Sequence, residues 1–373
     1  MLSGQDLTVN NRYSTKSQIP QGRRLRDIIA EKFPEGKFHM GVATMWYRHV
    51  HIGDIVDTEY NHVTPENDFK QSAIHPKPGV WNWKMADAWV ANCKKVGQSL
   101  RIHGPISPQC SRWVKEDSRT PEELEQVLRD YLSKLFQRYD KEAHVKWFDV
   151  INEVTHMGKW KKPEKGVDKW ETPWEILGYD TSTDFHIPKY IIIAFEIANK
   201  YAPNSQLIIN QHSFHPTDWG IIKKLIHHLR NRGLRVDGIG WQAHVDTGWE
   251  EKPQNLKQLS ELIDWAHSND LSFHITEINA WIKSEKEYQA QAKTFAAILE
   301  MLLRKRGRGD DSISYNLWNV SDNFAWMKEK MGTIFDKSML AKPAYYELQK
   351  VLENPPPKDP PVKVKRAAKR VRN

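Results

Sequence analysis

Two glutamates stand where strand-like apolar runs give way to loops. Glu153 follows VKWFDVIN (145–152), and Glu277 lies within LSFHITEI (271–278). A pair of carboxyl groups is what cleavage of a glycosidic bond requires: one protonates the leaving oxygen and the other attacks the anomeric carbon. A single glutamate at a strand end is equally an ordinary ion-pair partner. Here the two are joined, at other strand ends, by Glu66 and Asn67, His103, Asn152, Asn210, Gln242, His244 and Trp318. Amides, imidazoles and an indole converging on two carboxylates suit a sugar better than they suit an ion pair. The chain also has 16 Trp, more than a core of this size needs. The flat face of an indole is a surface on which the C–H face of a pyranose stacks, although any one of these Trp is also well explained as core.

Strands and helices alternate along the chain, and they must position these groups. Strands are expected at 39–45, 99–104, 145–152, 206–210, 236–244, 271–278 and 313–320, with a short one near Ile55–Asn61. Helices are expected at 188–201, 218–232, 255–269, 285–306 and 342–353. Another opens at Thr120-Pro121-Glu122-Glu123 with a capping box and Pro at its first position, then carries Leu124, Val127, Leu128, Tyr131, Leu132 and Leu135 at three- and four-residue spacing. Eight strands alternating with helices point to a parallel sheet. The fold class expected is α/β, a single (β/α)8 TIM barrel, in which the chemistry gathers where strands end. The rival, a doubly wound open sheet, is weakened because no glycine-rich phosphate loop follows the first strand.

The 373 residues carry a net charge of +8. Seven Lys and Arg face one Asp between Lys358 and Asn373, so most of that charge sits in the last residues and the body is nearly neutral. Residues 1–353 are therefore read as a catalytic domain with an N-terminal extension, and 354–373 as a Pro-rich and then basic tail, solvated rather than nucleic-acid-binding. Cys93 and Cys110 cannot make a disulfide framework, and no Cys/His cluster indicates zinc. His49, His51 and Asp54 are read as ordinary loop residues rather than metal ligands, and no apolar run is long enough to span a membrane. No metal or organic cofactor is expected, and neither is a nucleic-acid or membrane partner; a monomer is expected. The first residues, MLSGQDLTVNNRYSTK, lack the apolar core of a signal peptide.

Six motifs then carry a resemblance. VTPENDFK (63–70), IHPKPGVWNWKMAD (74–87), WFDVINE (147–153), IGWQAH (239–244), HITEIN (274–279) and WNVSDNFAW (318–326) occur in order. With them the chain, from about Phe38 to about Leu352, resembles glycoside hydrolase family 10, the endo-β-1,4-xylanases. The resemblance implies Glu153 as acid/base and Glu277 as nucleophile, with Asn152 on the 2-hydroxyl of the sugar being cut. It implies Gln242 and His244 as the groups that orient Glu277, and Glu66, Asn67, Lys70 and His103 as binders of the non-reducing-side sugars. Trp318 and Trp326 are placed over the sugar. The partner implied is xylan or a related β-linked plant polysaccharide, and the location implied is secreted or periplasmic. As acid, Glu153 must hold a proton at working pH.

The chain departs from the family at three places. RIHGPISPQCSRW (101–113) keeps His103 and Gln109 but has Ser107 and Pro108 where the family carries a Trp-His pair. Asn279 stands where the family has the Asp that pairs with the strand-six His, so His244 is expected to be more readily neutral than its counterparts. Asn210-Gln211 replaces an Asn-Asp pair. In addition, residues 157–176 place Trp160, Trp170 and Trp174 among five lysines on the expected leaving-group side, either as a surface for acidic branches or as an ordinary loop with its Trp tucked under. Against the leading reading stand a hydrolase of another β-glycan or of chain ends, and an inactive glycan-binding barrel.

Overall fold

The computed structural model describes residues 20–107, 110–115, 119–161, 173–306 and 312–363. Eight parallel strands close on themselves: β1 (Phe38–Thr44), β2 (His62–Pro65), β3 (Ser99–Ile102), β4 (Val145–Asn152), β5 (Gln206–Gln211), β6 (Gly238–Trp241), β7 (Ser272–Trp281) and β8 (Ile313–Leu317). Each pairs with the next in sequence, and β8 returns to β1 with Phe38 opposite Ile313. The helices pack outside as α1 (Leu25–Lys32), α2 (Trp46–Glu59), α3 (Lys84–Val96), α4 (Pro121–Tyr139), α5 (Lys189–Tyr201), α6 (Pro216–Asn231), α7 (Pro253–Ser268), α8 (Tyr288–Arg304) and α9 (Pro343–Glu353). The expected (β/α)8 barrel is the observed one.

Local signals explain most boundaries. At α4, Thr120 Oγ1 accepts from the Glu123 amide at 3.2 Å, and Glu123 accepts from the Thr120 amide at 2.8 Å. This reciprocal cap is worth about 1 kcal/mol. Two expectations need correction. Residues 55–59 are not a strand but the last turn of α2, whose buried Ile52, Ile55, Val56 and Glu59 recur at helical spacing; β2 begins only at His62. His49, His51 and Asp54 accordingly lie on this helix, not in a loop, and the His49 Nε2 is taken by Asp57 at 3.0 Å. The strand expected at 236–244 is broken at Ala243, whose φ of 49° turns the chain before His244. Cys93 and Cys110 are free thiols.

The floor of the barrel is polar. Arg101 donates to Asp149 Oδ1 at 2.6 Å and to Ser314 Oγ at 2.8 Å, with its guanidinium 4.9 Å from the Trp147 ring centre. Removing one partner of such a buried pair costs about 3–5 kcal/mol, because the other charge stays behind unpaired. Around it His39, His62 and His274 meet Ser99, Ser272 and Ser314. Burial, reinforced by the charge of Arg101, holds all three imidazoles well below the ordinary histidine range, His39 at about 4. The second oxygen of Asp149 receives His103 Nδ1 at 3.1 Å. The floor is thereby connected to the mouth.

Candidate active site

The strand ends deliver their side chains through unusual backbone. Glu153 (φ 56°), Ala243 (φ 49°) and Asn319 (φ 73°) adopt the left-handed conformation just beyond β4, β6 and β8. Non-glycine residues there cost energy that the surrounding structure must offset, and such positions gather at functional sites. The amide of Glu153 donates to the Asn210 carbonyl at 2.9 Å, so β5 fixes the turn that points Glu153 into the mouth.

Glu277 is 3% exposed. Its Oε1 accepts from Asn210 Nδ2 at 2.7 Å, and the same Nδ2 donates to Asn152 Oδ1 at 2.8 Å. Thr276 Oγ1 donates to Asn210 Oδ1 at 2.6 Å, which fixes the amide's orientation. Gly240 leaves room for this amide: a methyl there would lie 2.8 Å from Asn210 Oδ1 and 2.6 Å from Thr276 Cγ2. On the other side His244 Nε2 lies 3.4 Å from Glu277 Oε2, and His103 Nδ1 lies 3.7 Å from Oε1. Asn279 donates through Nδ2 to the carbonyls of Trp318 (2.8 Å) and Gly332 (3.1 Å), so its oxygen faces His244 Nδ1 at 2.9 Å. An amide oxygen only accepts. The hydrogen that Asn279 accepts is therefore the one on His244 Nδ1, which leaves His244 Nε2 turned toward Glu277 Oε2.

Glu153 is set differently. Its Oε1 accepts from Gln242 Nε2 at 2.9 Å and Asn152 Nδ2 at 3.3 Å. Its Oε2 faces Lys161 Nζ at 3.2 Å. Burial alone would raise the carboxyl's pKa, but the charge of Lys161, that of His212 and the Gln242 hydrogen bond together pull it down to about 2. A proton-holding Glu153 was expected from the sequence; in the free protein Lys161 keeps it ionised.

The remaining residues line the rest of the mouth. Glu66 accepts from Arg48 (3.2 Å), Asn319 (3.0 Å) and Asn67 (3.3 Å). Burial raises its pKa against the opposing charges of Arg48 and Lys70. Lys70 is buried beside Gly104, which also neighbours Ser107, the residue that stands where the family has its Trp. Trp318 is buried, edge-on to His103 at 5.1 Å, whereas Trp326 is 47% exposed. Trp281 lies parallel to His244 at 6.0 Å, with Lys330 Nζ 3.9 Å from its ring centre.

The sequence gives no role to Trp281, Arg48, Asn319 or Asn210, and it places Lys161 on the leaving-group side without its contact to Glu153. Trp281 had a signal, since Glu277, Asn279 and Trp281 alternate on one face of β7. Arg48 had none, because it reaches the site from a helix. Gln211 now has an account: its Nε2 holds the Thr155 carbonyl at 3.0 Å, steadying the chain just after Glu153. Pro108 and Gln109 lie outside the described residues, as do Lys162, Lys165, Lys169 and Trp170 of the lysine-rich segment. Within that segment Trp174 is fully buried and Trp160 packs on Phe185 at 5.1 Å, so Trp174 offers no face to a ligand.

Several known proteins are similar to the chain. It is 27% identical over 346 residues to endo-1,4-beta-xylanase A of Caldicellulosiruptor sp. (strain Rt8B.4), covering 86% of this chain and 47% of that protein. It is also 27% identical over 322 residues to endo-1,4-beta-xylanase C of Paenibacillus barcinonensis, covering 79% and 28%. The chain thus spans less than half the length of these relatives. Native xylanase 10B from Thermotoga maritima superposes with a TM-score of 0.71 at 25% identity, covering 88% of this chain and 98% of that one. The profile of glycosyl hydrolase family 10 matches residues 25–351, nearly all of the barrel and its helices, and the chain belongs to that family.

Proposed function

We propose that the chain is a retaining endo-β-1,4-xylanase that hydrolyses internal β-1,4-xylosidic bonds of xylan by double displacement. The observation that carries this reading is the chain of amides at the mouth: Asn210 bridges Glu277 and Asn152, and Asn152 with Gln242 holds Glu153. Two carboxyls tied into one hydrogen-bonded array can act on one glycosidic bond in concert. Retention calls for a separation of about 5–5.5 Å, with no room for a water between them.

In this reading Glu277 attacks the anomeric carbon while Glu153, protonated, gives its proton to the leaving oxygen. A covalent glycosyl-enzyme forms, and Glu153 as carboxylate then takes a proton from the water that releases the sugar. Asn210 and His244 aim Glu277, and Asn152 reaches the 2-hydroxyl of the reacting sugar. Glu66, Asn67 and Lys70 take the hydroxyls of the non-reducing-side sugars, and Arg48 and Asn319 hold Glu66 in place. Trp318 and Trp326 supply the apolar wall, to which Trp281 adds a third indole. The names of the relatives and the family membership support xylan as the substrate.

Reducing-sugar release from xylan, mixed-linkage glucan and cellulose tests the reading. Release from xylan well above the other two is expected, and Glu277→Ala should abolish it with the fold intact. Preference for a glucan would move the activity to another β-glycan, and no release from any polymer would favour a barrel that only binds.

A further inference from the structure

The acid/base position of this chain is occupied by a cation of its own. After Glu153 the chain makes a two-stranded hairpin, Thr155–His156 with Lys159–Trp160, closed by Met157 and Gly158 at φ 49° and 75°. Two successive left-handed residues make the tight hairpin turn. The hairpin is anchored at three points. Gly158 N donates to Asp218 Oδ1 at 2.9 Å, Gln211 holds the Thr155 carbonyl, and Lys161 N donates to the Val154 carbonyl at 2.8 Å. That last bond returns Lys161 to the start of the hairpin, over Glu153. The lysine is placed there by the backbone.

Its position on the carboxyl is specific. Oε1 already accepts from Gln242 and Asn152, so Oε2 is the oxygen left to carry a proton toward a leaving group. Lys161 Nζ sits 3.2 Å from that oxygen. An ammonium has only donors, so a proton on Oε2 and the ammonium cannot share that position. The other titratable groups facing Glu153 are His212, which stacks on His156 at 5.9 Å, Lys70 from beyond β2, and Glu277 across the Asn210 amide. None of these occupies Oε2 among the described contacts. Lys161 thus competes with the proton for Oε2 and opposes donation by Glu153 while it stays, and its side chain, 30% exposed, has room to turn outward. A carboxylate on the sugar beyond the scissile bond is a group that would draw it there.

Resting on the proposed function above, we propose that Lys161 is a specificity residue that occupies Glu153 Oε2 until an acidic substituent on the leaving-group side, a uronic acid branch, takes the ammonium away. Uronate-bearing substrate is then both bound and activated, while neutral substrate must displace Lys161 unaided.

The test compares kcat/KM on a neutral β-1,4-xylooligosaccharide and on one of equal length bearing a single glucuronyl branch on the leaving-group side. Wild type should favour the acidic substrate. In Lys161→Met the preference should fall about 10-fold, the size of one charge-assisted hydrogen bond. For the neutral substrate kcat should rise and the basic limb of kcat/KM should move to higher pH, a combination that a merely structural role would not produce. Lys161→Arg should keep the preference, and Lys159→Met, an exposed neighbour, should leave it unchanged. A wild type that cleaves both substrates with a ratio and a basic limb unmoved in Lys161→Met overturns the role of Lys161 alone. A wild type that cleaves neither overturns the proposed function with it.

Discussion

The two sides of the barrel mouth are built from different materials. Around Glu277 the hydrogen-bond and ion-pair partners among the described residues come from strands or their immediate ends: Asn210 from β5, His244 after β6 and His103 after β3, with Asn279 of β7 holding His244. Around Glu153 the amides of Asn152 and Gln242 are also strand-borne, but the decisive charge comes from a surface hairpin. A strand-built environment is fixed by register and costs nothing to reorganise at the moment of reaction. A hairpin lysine can exchange partners. In the proposed mechanism the nucleophile's side is therefore preorganised and the acid's side is conditional.

The largest expected effects separate the two carboxyls. Glu153→Ala should slow hydrolysis by about 100- to 10,000-fold, the range of general acid catalysis. The loss should be smaller for an aryl glycoside whose leaving group needs no proton, whereas Glu277→Ala should lose both substrates alike. Equal losses on the two substrates in Glu153→Ala would erase the distinction. Next in size is Asn210→Ala, which removes the donor that joins the two sides. A lost hydrogen bond to a charged group amounts to about 1.5–3 kcal/mol, so kcat/KM should fall about 10- to 100-fold, and Gly240→Ala should move in the same direction by displacing that amide. An unchanged kcat/KM in Asn210→Ala would mean the bridge does not align Glu277.

A finer change probes the strand-built side alone. Asn279→Asp places a charge beside His244 Nδ1 and favours an imidazolium facing Glu277, so the pH–rate profile should shift relative to the native protein. Superimposable profiles would show that the Asn is an innocent replacement. The smallest effect lies in the floor. His39 is held at about 4 against an ordinary value of 6.5, so the unfolded chain takes up more protons between those values. Its contribution to stability is complete above pH 6.5 and is lost as the pH falls toward 4. Thermal unfolding should show Tm declining over that window, and His39→Asn should flatten the decline.

The same division explains what could be read from the sequence. The barrel was legible because period and capping act locally: β4 was bounded at 145–152 and α4 by its capping box. The strand that failed, near Ile55, is a short apolar run whose helical spacing becomes clear only when α2 is read from Trp46. Glu153, Glu277, Gln242 and His244 were legible as polar residues at strand ends. The leaving-group side of the lysine-rich segment was legible too, but the contacts of Lys161 with Glu153 and of Arg48 with Glu66 were not, since neither a lysine among lysines nor an arginine on a helix shows which carboxylate the fold will bring to it. The raised acidity of Glu153 follows from that same unreadable contact. The Asn210 bridge was half legible: its strand end was noticed, but a two-way amide bond needs three strands in register.

Trapping the glycosyl-enzyme distinguishes attack by Glu277 from its alternatives. The enzyme would be incubated with a 2-fluoro xylobioside bearing an activated leaving group, digested, and analysed by mass spectrometry. A single glycosyl adduct is expected on the peptide containing Glu277, with none formed in Glu277→Ala. Rapid turnover of xylan by a protein that gives no adduct, or an adduct on any other residue, would contradict it.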